Sequence, residues 1–272
     1  MSYKNDKKML RTIDKFRISA VHTTSKKQNV ILWLHGITVN KNEYLDFFKD
    51  GAEYVALNGT DSLRIDFRGH GESSGTSLDF TITGQMIDVN SALEYLKREY
   101  DFTKINLHIV GCSFGAPPAI FTAIRYPEIV KSIFLIAPVL SYNRTFLKPE
   151  TEWAKSIFNK KTLAALAKKK QLFINDTFPI GVQLIEEMQI ITPELIIAKV
   201  KQNITIIHGD ADSMVPYSVS KEIADNNPNI KLVTMHGMDH GFTDAKDEIG
   251  NSQKSLKNKK LIYNLISKQL VC

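Results

Sequence analysis

The chain has 272 residues, 43% of them hydrophobic, with no repeat or low-complexity tract, so it is long enough to bury a sizeable core as one large globular domain or a domain carrying an insertion. Its formal charge of +6 is unevenly spread: residues 148–170 and 251–272 each carry +5, and the remainder is acidic. Neither basic segment interleaves aromatics with arginines as a nucleic-acid groove would, which favours a solvated basic face; the functional alternative is that the lysines near 160–170 attract an anionic substrate or an acidic acyl-carrier protein.

The N-terminus, Met1 to Lys8, is polar and leads into no apolar h-region, and the longest apolar stretch, near Ile133 to Leu140, is too short for a bilayer. Neither secretion nor a membrane span is expected. With two cysteines, Cys112 and Cys272, a disulfide framework is not expected and a reducing cytoplasm is the default location.

Apolar, β-branched runs alternate with helical periodicity, the mark of a mostly parallel sheet flanked by helices. The first strand is expected at Asn29–Leu34 and closes on His35-Gly36; the next at Ser62–Asp66 leads into Phe67-Arg68-Gly69-His70-Gly71-Glu72-Ser73, taken as a structural turn. Ile82, Met86, Val89, Leu93 and Leu96 then recur at steps of four and three, the stripe of an amphipathic helix packed on a sheet. A third strand, Ile105–Val110, runs into Gly111-Cys112-Ser113-Phe114-Gly115, and a helix-compatible stretch follows from Ala116 to Tyr126. On such a strand-to-helix turn, side chains at 111 and 115 would meet neighbouring backbone, and the strain lifts Ser113 Oγ above the sheet as a nucleophile. Cys112 is expected as a small buried side chain under this turn.

After a strand at Ser132–Ile136, about 65 residues pass before the next strand, Ile204–His208, far more than one crossover requires. The expected division is therefore a core of residues 1–138 and 204–272 with an insertion, 139–203, forming a cap over the C-terminal edge of the sheet. Within it, Glu152 to Lys170 and Gly181 to Val200 look helical, with Pro193 suited to a first turn. The last strand is expected at Ile230–Met235, and a terminal helix presents Leu261, Leu265 and Ile266 to the sheet.

A serine hydroxyl is too weak an acid to attack unaided at neutral pH, so it needs a base and the base an orienting acid. In the strand–turn–helix arrangement the chain order is serine, acid, histidine, with both partners in loops after late strands. Of seven histidines, that order excludes His22, His35, His70 and His108; His208 and His236 end strand runs, where packing is expected to fix them. His240, in the loop Gly237-Met238-Asp239-His240-Gly241, is the expected base. The loop Gly209-Asp210-Ala211-Asp212-Ser213 offers two carboxylates: Asp212 is taken as the acid and Asp210 as a turn residue. Asp239, adjacent to His240, is expected to be a loop or solvent residue. For the tetrahedral oxyanion, the backbone N–H groups of Ile37 and Phe114 are the expected donors, with their side chains available to line the acyl pocket.

His35-Gly36, Asp66 to Ser73, Gly111 to Gly115, the acid loop and the loop around His240 together resemble the α/β-hydrolase superfamily over about residues 28–270. The run His35-Gly36-Ile37-Thr38-Val39-Asn40-Lys41 and the insertion's length are similar to bacterial cinnamoyl/feruloyl esterases and to serine-aminopeptidase-like hydrolases related to monoacylglycerol lipases. The resemblance implies the α/β-hydrolase fold with a helical cap and a carboxylic-ester hydrolase using Ser113, Asp212 and His240 through an acyl-enzyme. The chain departs from the commonest pattern at Cys112, where histidine is frequent, and at Ala116, where glycine is frequent; both positions bear on the pocket floor. No organic cofactor or metal is expected, because cysteine and histidine spacing offers no zinc site and no Gly-rich phosphate loop is present. The expected partner is a small-molecule ester or thioester. The alternatives are an acyl-carrier or acyl-CoA thioesterase or acyltransferase, an amidase, or a non-catalytic ligand-binding homologue.

Overall fold

The computed structural model describes residues 2–25, 29–244, 246–247 and 249–270; Cys272 lies outside the described residues. The core strands are β1 (Lys4–Arg11), β2 (Arg17–Thr24), β3 (Asn29–Leu34), β4 (Asp61–Ile65), β5 (Asn106–Cys112) and β6 (Val130–Ile136). Helices α1 (Phe47–Leu57), α2 (Ile82–Glu99) and α3 (Ala116–Arg125) are interleaved with them. The insertion holds α4 (Glu152–Ile157), α5 (Lys160–Lys169), a hairpin of β7 (Gln171–Asn175) and β8 (Phe178–Gly181), then α6 (Val182–Ile190) and α7 (Pro193–Ile196). The core resumes with β9 (Asn203–Gly209), α8 (Tyr217–Asn226), β10 (Ile230–Met235) and α9 (Gln253–Gln269).

Among the described residues eight strands form one sheet in the order β1-β2-β4-β3-β5-β6-β9-β10. The six from β4 to β10 run parallel, and β1 and β2 continue the sheet antiparallel. A parallel strand covered on both faces must be apolar along its whole length, and β3 shows why the sequence signal was a continuous run. Its odd and even side chains enter different cores: Val30, Leu32 and Leu34 pack on one face, Ile31 and Trp33 on the other, and all are fully buried. Strands β1 and β2 were not expected. β1 carries five charged residues among eight and escapes an apolar search, yet it is a suitable edge strand because charge there blocks further pairing.

The stripe on α2 holds as expected, with Ile82, Val89, Leu93 and Leu96 buried and Met86 half-buried. The terminal helix turns further round than its leucines suggested: Ile262, Tyr263 and Ile266 face the sheet, while Leu261 is exposed. Tyr263 explains the rotation, since its hydroxyl donates to the Phe47 carbonyl and its ring lies against Phe47.

In the insertion, the stretch Glu152 to Lys170 breaks into two helices where Asn159 caps α5, accepting from the N–H groups of Lys161 and Thr162. Pro193 opens α7. The hairpin is an addition to the helices foreseen; Leu172 and Ile174 alternate with exposed Phe173, and Asn175 turns the chain by accepting from the Thr177 N–H. A carboxylate ties the insertion to the core: Glu187 on α6 accepts from the N–H groups of Ile82 and Thr83, the free donors at the start of α2. No helix among the described residues is long and apolar enough to cross a membrane.

Candidate active site

Every sequence-predicted site residue follows the C-terminal end of a parallel strand: Ile37 after β3, Ser113 and Phe114 after β5, Asp212 after β9 and His240 after β10. Ser113 sits at φ 50°, an unfavourable angle for a side-chain-bearing residue. The flanking glycines permit it. A Cβ on Gly111 would lie 2.5 Å from the Gly115 carbonyl oxygen, and one on Gly115 would lie 2.1 Å from the Leu34 carbonyl oxygen.

The side chains form a continuous hydrogen-bonded series. Ser113 Oγ is 3.1 Å from His240 Nε2, and His240 Nδ1 is 2.8 Å from Asp212 Oδ2. Because carboxylate oxygens only accept, Nδ1 carries the proton and Nε2 is left free to take one from the serine. The other Asp212 oxygen, Oδ1, accepts from the N–H groups of Met214 and Val215 at 2.9 and 2.8 Å. His208 Nε2 supplies a further donor to Oδ2 at 3.0 Å and is itself held by Ser220 through Nδ1. Burial alone would raise the Asp212 carboxyl, but the charge of His240 and the donated hydrogen bonds overcome it and hold the group well below the usual carboxylate range. For His240, burial pulls downward and the Asp212 carboxylate outweighs it, so the imidazole is raised above its ordinary value.

The expected oxyanion donors lie beside the serine. A Cβ on Gly36 would come within 3.1 Å of Ser113 Cβ, which places the backbone leading into Ile37 against the nucleophile. Phe114 falls in the one-turn helix Ser113–Gly115, whose N–H groups have no preceding turn to bond. Its ring does not line the pocket. It is fully buried among Phe80, Tyr142 and Phe146, with ring centroids 5.4–5.8 Å away.

These groups open on a cavity of about 450 Å³ lined by Ile37, Val139, Phe146, Trp153, Met214 and Val215 among others. Phe146 and Trp153 thus contribute from the insertion, as Ile174 and Asn175 of the hairpin do. Other insertion aromatics serve elsewhere: Phe158 packs on Phe146, Phe173 is half-exposed, and Phe178 covers His70. His70 is buried beside His35 and Phe80, and burial depresses it to about 3, in keeping with its structural assignment. Cys112 is buried beneath the turn, and burial with the nearby Glu43 pushes its thiol up. Among the described residues no cluster of His, Cys, Asp and Glu is arranged to hold a metal ion.

Three features were not foreseen. Asp239 is a brace: its Oδ1 accepts from the Ser213 N–H, the Ser213 hydroxyl and the His240 N–H, tying the acid loop to the histidine loop. His236 is solvent-exposed and pairs with Asp210, which also accepts from the Gly237 N–H. Glu43 stands in the pocket wall and accepts from the N–H groups of Gly36 and Tyr44. Only the repeated Asp and His residues at strand ends hinted at the first two; nothing in the sequence pattern marked Glu43.

The chain is 30% identical over 142 residues to a probable alcohol acetyltransferase of Wickerhamomyces anomalus, covering 51% of this chain and 39% of that protein. It is 32% identical over 109 residues to human monoacylglycerol lipase ABHD6, covering 40% of this chain and 30% of the lipase. The matched segments thus span only about a third of the curated relatives' own length. Among solved structures, Est1E from Butyrivibrio proteoclasticus, determined with ferulic acid bound, superposes with a TM-score of 0.74 at 22% identity, covering 96% of this chain and 99% of Est1E. The profile described as the alpha/beta hydrolase fold matches residues 29–164, half of the sequence, from β3 through the strand–turn–helix at Ser113 into the insertion, and the chain accordingly belongs to the α/β-hydrolase family.

Proposed function

We propose that the protein is a serine esterase that cleaves a carboxylic ester through an acyl-enzyme on Ser113. The observation that carries this reading is the unbroken series from Ser113 Oγ through His240 to Asp212, at the wall of a cavity large enough for a small-molecule ester. His240 takes the serine proton as Oγ attacks the carbonyl carbon, and Asp212 stabilises the imidazolium. The N–H groups of Ile37 and Phe114 receive the oxyanion. His240 then protonates the departing alcohol, and a water that it activates releases the acid. The insertion, residues 139–203, acts as a cap that shapes the acyl pocket through Phe146, Trp153 and Ile174.

The test is hydrolysis of a panel of p-nitrophenyl esters, methyl hydroxycinnamates and acyl thioesters by the wild type and by Ser113→Ala. Turnover that vanishes in the variant supports the reading, and equal rates across the panel refute it. A second reading is favoured by the relatives that are probable alcohol acetyltransferases: an alcohol rather than water accepts the acyl group. Adding ethanol during ester turnover and measuring the new ester against free acid separates the two. Preference for an acyl-carrier thioester, with turnover that falls steeply as salt rises, would assign a carrier-docking role to the lysines of α5.

A further inference from the structure

Glu43 occupies a position that its residue type disfavours. Its backbone lies at φ 62° and ψ 175°, a region that suits glycine, and it precedes two more left-handed residues, Leu45 and Asp46. A fold that holds a glutamate there retains its side chain for a reason. The carboxylate reaches back seven residues along the chain to accept from the Gly36 N–H at 2.8 Å, while its other oxygen accepts from the Tyr44 N–H at 3.1 Å. Cys112 lies beside it in the same pocket wall. Burial raises the Glu43 carboxyl above its ordinary value, and the donated N–H bonds of Gly36 and Tyr44 together with the charge of His240 oppose that rise.

We propose that Glu43 is a positioning residue of this site: it clamps the Gly36 turn against Ser113 and acts as a second carboxylate, with Asp212, in stabilising the His240 imidazolium. The proposal rests on the esterase reading of Ser113. Gly36 is the residue whose hypothetical Cβ nearly touches Ser113, so whatever fixes the Gly36 N–H fixes the peptide that leads to Ile37. With its own N–H engaged by Glu43, Gly36 leaves the next amide to face the reacting carbonyl. On its other side Glu43 meets Cys112, the residue before the nucleophile, so it braces both walls of the serine.

Among the described residues, polar groups from several loops lie around His240. Asp212 bonds Nδ1 and is shared with His208 on β9; Asp239 lies on the histidine's own loop; Glu43 comes from the loop after β3; Ser113 and Cys112 come from the end of β5. Asp239 spends one oxygen on three donors of the acid and histidine loops. Glu43 lines the same cavity as His240, Ser113 and Cys112. As the serine proton moves to His240, negative charge on Asp212 and Glu43 favours the imidazolium.

The test follows the His240 ring directly by NMR titration in the wild type, Glu43→Gln, Glu43→Ala and Glu43→Asp, alongside the pH dependence of kcat/KM on p-nitrophenyl acetate. Removing the charge is expected to lower the His240 midpoint by about half to one pH unit in both the Gln and Ala variants, and to move the acid limb of the activity profile with it. Glu43→Asp keeps the charge but is too short to reach Gly36, so its midpoint stays near the wild type while kcat falls about tenfold. Two charge-removing variants guard against one failing to fold. A midpoint unchanged by either, or moved equally by the Asp variant, overturns the proposal. The NMR readout needs no substrate, so failure of the esterase reading would appear separately, as wild-type turnover that does not depend on Ser113.

Discussion

Replacing Asp212 by asparagine tests the hydrogen-bond directions on which the proposed mechanism depends. The new amide has one acceptor and one donor end, and the structure decides which faces where. Oδ1 is fixed by two backbone N–H groups, from Met214 and Val215, which must meet an acceptor. The amide nitrogen is therefore forced into the Oδ2 position, facing His240 Nδ1 and His208 Nε2. A donor at that point turns His240 Nδ1 into an acceptor and places its proton on Nε2, the atom that should receive the serine proton. The base is lost although the geometry survives. The expected loss in kcat is about a thousandfold to ten-thousandfold, or about 4–5.5 kcal/mol of barrier, the scale seen when the same change is made in other serine triads. The assay is steady-state hydrolysis of a p-nitrophenyl ester, with circular dichroism to show that the fold is kept. A folded Asp212→Asn variant retaining activity within about tenfold of the wild type would refute the assigned directions.

Other predictions follow from single contacts. Gly115→Ala sets a Cβ 2.1 Å from the Leu34 carbonyl oxygen and should cost about 2–3 kcal/mol or more in urea unfolding, since neither backbone segment has room to move. Because Asp212 raises His240 despite burial, and the base works only when neutral, kcat/KM should fall as pH drops through a midpoint above the ordinary histidine value of about 6.5; a pH–rate profile with its acid limb below that value contradicts the assignment. Glu187→Ala removes the acceptor at the start of α2 and should destabilise the protein by about 1 kcal/mol while making the insertion easier to cleave by protease, measured by denaturation and limited proteolysis. Among the described residues the pocket lining holds Glu43 and Asp239 and no lysine or arginine, so esters bearing a carboxylate near the scissile bond should show kcat/KM about tenfold or more below uncharged isosteres.

Much of the core was legible in the sequence because a parallel strand covered on both faces must be continuously apolar, as Asn29–Leu34 is, and because the turn around Ser113 tolerates only glycine at positions 111 and 115. The order serine, acid, histidine was likewise written in the chain, and it led to the three side chains that the structure brings within hydrogen-bonding distance. What local pattern could not carry were contacts between segments far apart in sequence. Strand β1 is charged and becomes a strand only by pairing with β2, whose other edge joins β4. The inward face of α9 is set by Tyr263 meeting Phe47, more than two hundred residues away. His208 and Asp239 looked like packing and loop residues, yet they brace the acid and the histidine because β9 and β10 lie side by side. Glu43 belongs to the site through a reach back to Gly36 and a packing contact with Cys112, which no spacing rule encodes. The sequence determined the parallel strands, the strained turn and the types of reacting group, since those depend on local sterics and period. The tertiary structure alone decided which polar groups surround them, because hydrogen-bond partners and buried charge are fixed by distances across the sheet rather than along the chain.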